Sequence, residues 1–203
     1  MKIGIIDYNL SNISSVTNVI SLLGYNYKII TKFEEPSNYS MFILPGVGSF
    51  KKAMINLKNK GLDQMIYKLV SEKKKILGIC LGMQLFFNHS EEDGGSEGLN
   101  LIDGKVYFIE GDKNIYRVPN IGWRYLNITK KSKLLDKIDN KTAFYFVHSL
   151  HCKTRNRDNL LGNIDYSRPL DAVIQSDNIF ATQFHPEKSQ KFGVQLLKNF
   201  IDY

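Results

Sequence analysis

Leu77-Gly78-Ile79-Cys80-Leu81-Gly82-Met83-Gln84 is the stretch on which the fold of this chain turns. It follows the polar, basic run Ser71-Glu72-Lys73-Lys74-Lys75 and reads as a short buried strand, a sharp turn and an apolar helix carrying Leu81, Leu85 and Phe86. The pattern Gly-x-Cys-x-Gly is the cysteine form of a nucleophile elbow. Glycines flank such a nucleophile because a strained strand-to-helix turn leaves no room for neighbouring Cβ atoms. The turn also sets the sulfur at a helix N-terminus, where unpaired amides and the helix dipole favour thiolate over thiol. Taken alone, a buried cysteine between a strand and a helix is more often inert packing.

On the N-terminal side of the elbow the chain alternates strand and helix. Ile3 to Ile6 is an apolar run, and Ser11 or Asn12 caps a helix with Ile13, Val16, Ile20 and Leu23 on one face, ending at Gly24. Tyr27 to Ile30 and Met41 to Leu44 read as further buried strands, the second broken by Pro45-Gly46-Val47-Gly48. Helices follow from about Ser49 and over Leu62 to Val70, and Ile76 to Ile79 is the strand of the elbow. Beyond it, Glu91 to Gly98 is a loop, while Val106 to Ile109 and Trp123 to Ile128 look like strands of a small β-rich insertion. Ala143 to Val147, Ala172 to Ser176 and Ile179 to Phe184 return to strand character. A helix from about Gln190 closes the chain, with Phe192, Leu196, Leu197 and Phe200 at helical spacing. The expected fold is α/β: three layers, a mostly parallel central sheet with helices on both faces, in one domain over residues 1–203. In such sheets the loops at the carboxyl ends of strands build the site, and Asp7-Tyr8-Asn9, Pro45-Gly46, Cys80 and His185 all fall there.

Composition narrows the setting. The 203 residues suffice for a substantial core, and 43% hydrophobic and 12% aromatic content suits an ordinary globular chain. No apolar stretch approaches the roughly 20 residues of a membrane span, and Asp7 interrupts the first apolar run too early for a signal peptide. Two cysteines, Cys80 and Cys152, make no disulfide framework, so a cytoplasmic location is expected. The formal charge of +7 raises the question of nucleic acid. The lysines, however, are scattered through polar segments without aromatic interleaving or a binding module, which reads as a solvated basic surface.

A nucleophilic cysteine needs a base, an orienting group and donors for an oxyanion. His185, in Gln183-Phe184-His185-Pro186-Glu187, follows a strand and precedes a proline that forbids ladder continuation, so it projects at a strand end. Glu187, two residues on, is placed to hold the distal imidazole nitrogen. Gly46, Val47 and Gly48 offer amides with little bulk, alongside the Leu81 amide next to the nucleophile. The Gly46-x-Gly48 spacing lacks the third glycine of a dinucleotide loop, and no phosphate-binding Gly-Lys-Ser/Thr loop occurs. His148, His151 and Cys152 invite a metal reading. On one strand, though, the two histidines would point to opposite faces and no second cluster completes four ligands, so neither metal nor cofactor is expected. His89, among Asn88, Ser90 and Glu91, reads as a solvated helix-end residue.

Together, Gly78 to Gln84 and Gln183 to Glu187 resemble the class I (triad) glutamine amidotransferases. Within that class, Ile6-Asp7-Tyr8, Leu44-Pro45-Gly46-Val47-Gly48, Met83-Gln84, Tyr145-Phe146-Val147-His148-Ser149 and Pro186-Glu187-Lys188-Ser189 resemble the glutaminase subunits of imidazole glycerol phosphate synthase. The resemblance spans essentially the whole chain and implies a reaction. Cys80 would attack the side-chain amide of glutamine, with His185 moving protons and Glu187 orienting it. It also implies that Gly48, Gln84, Glu92 and His148-Ser149-Leu150 hold glutamine, with Glu92 suited to the substrate ammonium. Ammonia would pass to a (β/α)8-barrel cyclase subunit, with Trp123, Tyr145 and Lys188 at interface positions. Where the family usually reads Pro-His-x-Gly-Trp-Asn, this chain reads Pro119-Asn120-Ile121-Gly122-Trp123-Arg124. That departure keeps open a second acceptor, a sugar amidotransferase of surface-glycan synthesis.

Overall fold

A computed structural model describes residues 2–111 and 115–203. The first half comprises β1 (Lys2–Ile6), α1 (Ile13–Leu22), β2 (Asn26–Ile30), β3 (Met41–Gly46), α2 (Phe50–Asn59), α3 (Leu62–Ser71), β4 (Lys75–Cys80) and α4 (Leu81–Leu85). There follow β5 (Phe87–Ser90), β6 (Ser96–Glu97), β7 (Ile102–Phe108), β8 (Asn120–Ile128), β9 (Ala143–His148) and β10 (Leu150–Thr154). The chain ends with β11 (Leu160–Asp165), β12 (Pro169–Ser176), β13 (Ile179–Thr182) and α5 (Gln190–Asp202).

Among the described residues nine strands form one sheet in the order β2-β1-β3-β4-β13-β12-β11-β8-β9, and four form a second, β10-β7-β5-β6. Alternation along each strand divides the core between the two faces of the large sheet. Ile3, Ile5, Ile43 and Leu77 pack with Val16 and Ile20 of α1 and Leu196, Leu197 and Phe200 of α5. Ile6, Phe42, Leu44 and Ile76 pack on the other face with Phe50 and Leu57 of α2 and Met65 and Ile66 of α3. Each such fully buried side chain contributes roughly 1.5–3 kcal/mol of transfer free energy. The expected three layers are present.

The sheet itself departs from the mostly parallel expectation. Strands β2, β1, β3, β4 and β13 are parallel, whereas every pairing from β13 to β9 is antiparallel. The antiparallel half needs no crossover helices: β12 and β13, for example, are joined by Asp177-Asn178 alone, with Asp177 at φ 53°. Accordingly Trp123 to Ile128 belongs to the large sheet and not to an insertion, and the smaller β structure is the second sheet around β7. Strand β2 is an edge strand with only Ile30 buried, because a neighbour on one side leaves its outer flank to solvent. Pro45 does not break β3, which runs on to Gly46 beside Cys80. Neither Ser11 nor Asn12 caps α1 through its side chain; the Ser11 hydroxyl instead donates to Asp7 Oδ1 at 3.1 Å. His89 lies in β5, not at a helix end, with Nδ1 3.0 Å from Glu97 Oε1 across the β5–β6 pair.

Candidate active site

The elbow is built by close approach of backbones. Cys80 is the last residue of β4 and immediately precedes α4, at φ 54° and ψ −108°, a strained region for a residue bearing a Cβ. Both flanking glycines are sterically required. A Cβ on Gly82 would fall on the Leu44 carbonyl oxygen, and one on Gly78 would strike the Phe86 ring. The strain therefore persists because β3 and α4 press on the turn from both sides.

His185 follows β13, whose parallel pairing with β4 sets Thr182 beside Ile79. Phe184 is stacked on Phe144 with centroids 4.1 Å apart and meets Phe146 edge-on at 5.4 Å. Such pairs add about 0.5–1.5 kcal/mol each beyond area burial, and here they hold the strand end against β9. The His185 amide donates to the Tyr145 carbonyl at 3.0 Å, and its carbonyl accepts the Ser189 hydroxyl at 2.6 Å. His185 Nδ1 lies 2.7 Å from Glu187 Oε1, with both side chains 2% exposed. Among the described residues Nε2 has no hydrogen-bond partner. Burial alone would depress the imidazole's pKa, but the neighbouring Cys80 and the hydrogen-bonded Glu187 carboxylate prevail and push it up to about 10. At neutral pH His185 is therefore an imidazolium in the cavity that it shares with Cys80.

Cys80 and His185 share a cavity of about 340 Å³ with Val47, Gly48, Leu81, Gln84, Glu92, His148, Ser149 and Leu150. The structure thus gathers every residue expected to hold substrate. Glu187 stands behind His185, and Gly46 pairs with Cys80 in the β3–β4 register. Pro119 and Val147 also line the cavity, and Gln183 Nε2 lies 3.8 Å from Cys80 Sγ. Sequence reading passed over these three. Gln183 was within reach of it, as a polar residue in a strand end otherwise apolar.

Three expectations need correction in detail. The Val47 amide does not face the cavity as an oxyanion donor, since it donates to the Leu10 carbonyl at 2.8 Å. Glu92 lines the cavity, but its Oε2 accepts the Phe50 amide at the start of α2. His148 has no free ring nitrogen for substrate: Nδ1 is 2.7 Å from the Leu150 carbonyl and Nε2 is 2.9 Å from Asn120 Nδ2. Burial depresses its pKa to about 4, so it is neutral. His151 is likewise engaged, at the Cys152 carbonyl and Arg168. Among the described residues no group of three or more His, Cys, Asp or Glu is arranged to hold a metal ion.

Two of the expected interface residues meet on the large sheet. Trp123 and Tyr145 are register partners on β8 and β9 with rings edge to face at 6.1 Å, and Lys188 is exposed. Ile121 and Tyr125, exposed beside Trp123 on the same face of β8, extend this patch and were missed. Their period-two spacing with Trp123 was the available signal.

A strained cysteine at an elbow, a carboxylate-held histidine and the cavity they share define an amidase of the cysteine-nucleophile type. The chain belongs to the class-I glutamine amidotransferase family, whose model matches residues 4–203. More narrowly, it is 44% identical over 201 residues to the imidazole glycerol phosphate synthase subunit HisH of Methanocaldococcus jannaschii, covering 98% of both chains. It is 43% identical over 201 residues to the subunit of that name from Bacillus subtilis, covering 98% of this chain and 94% of that one. Among solved structures, a chain of PurLQS from Thermotoga maritima superposes with a TM-score of 0.78 at 16% identity, covering 100% of this chain and 98% of that one. A glutamine amidotransferase from the same organism gives 0.68 at 16% identity, over 100% and 81%. At these identities the two structures speak to the fold alone.

Proposed function

We propose that the chain is the glutaminase subunit of an imidazole glycerol phosphate synthase, hydrolysing glutamine to glutamate and ammonia for a cyclase subunit in histidine biosynthesis. The observation that carries the chemistry is the shared cavity in which Cys80, strained at its turn, meets His185 braced by buried Glu187. The Cys80 thiolate attacks the side-chain amide carbon, and the carbonyl π electrons move onto oxygen. The Leu81 amide is one donor to that oxyanion; the Val47 peptide supplies a second after turning away from Leu10, a rotation eased by Gly46 and Gly48 on either side. Collapse expels ammonia, which takes its proton from His185 Nε2 and leaves a glutamyl thioester. Water, deprotonated by His185, then releases glutamate and restores the thiolate. Gln84, Glu92, Gly48 and the Ser149-Leu150 backbone hold the substrate's polar end, with the remaining Glu92 oxygen toward its ammonium.

Half-buried Tyr145 with exposed Trp123, Ile121, Tyr125 and Lys188 docks the (β/α)8-barrel cyclase subunit. His185 accepts its place from the Tyr145 backbone, so docking and chemistry share a strand. The whole chain acts as one domain and works in the cytoplasm, where a catalytic thiol stays reduced. No helix among the described residues is long and apolar enough to cross a membrane.

The test is glutamate and ammonia release by the assembled synthase. Cys80→Ala should abolish both, and a glutamine-directed covalent inhibitor should label Cys80 in the wild type. Retained hydrolysis in the variant would refute the assignment. Growth without histidine after deletion, in a cell with one gene copy, would redirect the ammonia to another acceptor such as a sugar amidotransferase.

A further inference from the structure

A run of hydrogen bonds crosses the molecule from the partly exposed side chain of Arg124 to the substrate cavity. Arg124 Nε donates to Asn120 Oδ1 at 2.9 Å. Asn120 is fully buried, and its Nδ2 donates to His148 Nε2 at 2.9 Å across the β8–β9 register. His148 Nδ1 donates to the Leu150 carbonyl at 2.7 Å. That same carbonyl accepts from Gln84 Nε2 at 3.3 Å, and Gln84 donates also to Gln183 Oε1 at 3.2 Å. Gln183 in turn donates to Cys80 Sγ.

Each link dictates the next. A guanidinium offers only donors, so the amide oxygen of Asn120 must face Arg124 and its NH2 must face His148. His148 Nε2 must then be the acceptor, which puts the proton of the neutral ring on Nδ1, where the Leu150 carbonyl needs a donor. Were the Asn120 amide reversed, its oxygen would call the proton to Nε2. The bare Nδ1 lone pair would then face the Leu150 oxygen, and the segment that lines the cavity with Gln84 would lose its anchor.

We propose that Arg124 and Asn120 are positioning residues for the glutamine pocket, Arg124 orienting the Asn120 amide so that His148 holds the Leu150 carbonyl and Gln84 in place. The inference rests on the glutaminase reading above. Through the Arg124–Asn120 and Asn120–His148 hydrogen bonds the two side chains work as one unit. Arg124 touches no reacting atom; its effect passes through Asn120, and it bears on substrate binding more than on turnover.

Two replacements separate positioning from charge. Glutamine places an NH2 at the point where arginine has Nε, whereas methionine has the same length and no donor. In the assembled synthase, Arg124→Met and Asn120→Leu should each raise KM for glutamine on the order of tenfold, the scale of one buried hydrogen bond, with kcat changed far less. Arg124→Gln should keep the wild-type KM, and Arg124→Met should add nothing in the Asn120→Leu background. Long-range 1H–15N spectra of the full chain should show His148 as the neutral Nδ1–H tautomer in wild type and Arg124→Gln, and lose that single tautomer in Arg124→Met. An unchanged tautomer and KM in Arg124→Met, equal defects in the Gln and Met variants, or additive effects in the double variant would each overturn the proposal. If the wild-type synthase releases no glutamate, the glutaminase reading fails instead, and the spectra still decide the hydrogen-bond assignment.

Discussion

Glu187 Oε1 sits 2.7 Å from His185 Nδ1 with both side chains almost wholly withdrawn from solvent, although only Pro186 separates them in sequence. The proline turns the chain through a short 3-10 segment, which lets two residues two positions apart face each other. The carboxylate thereby fixes the ring so that Nε2 points to the cavity.

Replacing Glu187 with Gln keeps the shape and removes the charge that helps raise the His185 pKa. The imidazole's pKa should fall from about 10, and kcat in the assembled synthase should fall roughly 10²–10⁴-fold, the usual worth of a positioned acid–base group. Titration of His185 by NMR and steady-state kinetics check the two parts separately.

Cys80→Ala should lower the same pKa, because after opposing burial the strongest raising influence is the neighbouring Cys80. A group raised above 6.5 in the fold stabilises it fully below that pH and stops doing so as pH rises through about 10. Wild type should therefore lose stability between those limits, and Cys80→Ala should lose less. Denaturant midpoints across that range measure the difference.

His148 has the opposite sign. Its pKa falls from 6.5 unfolded to about 4 folded, so between these values the unfolded chain binds a proton that the native chain refuses. Stability should drop as pH falls through that window, by roughly 3 kcal/mol at about 1.4 kcal/mol per pKa unit. His148→Gln should flatten that part of the pH–stability curve in urea titrations.

Gly82→Ala should cost on the order of 3 kcal/mol, since its Cβ would displace the Leu44 carbonyl of β3. The same shift should move Cys80, so kcat should fall even in protein that is fully folded. Chemical denaturation and kinetics at a temperature well below the transition test both parts.

Trp123→Ala should weaken assembly with the cyclase subunit by roughly 30-fold, as loss of a buried aromatic anchor typically does. Calorimetric titration of the two subunits measures it, and the Cys80 elbow should be undisturbed.

The residue order alone determined the chemistry and half of the architecture. Gly78-Ile79-Cys80-Leu81-Gly82 and Phe184-His185-Pro186-Glu187 are local instructions: glycines, a proline and a nucleophile whose steric demands hold in any surroundings. The parallel half of the sheet was readable for the same reason, since its buried strands alternate with amphipathic helices. The antiparallel half was not, because a short strand such as Leu160–Asp165 carries mixed residues and takes its state from neighbours far along the chain. Only tertiary structure decided what His148 does. Its sequence neighbours suggest a metal ligand or a substrate contact, yet Asn120 across the sheet and Leu150 beyond the turn use both ring nitrogens. It likewise decided that the Val47 amide is held by Leu10 and that Ile121, Trp123 and Tyr125 lie bare on one face of β8. Hydrogen-bond partners and exposed faces depend on which strands meet, and that pairing is set by packing over the whole chain.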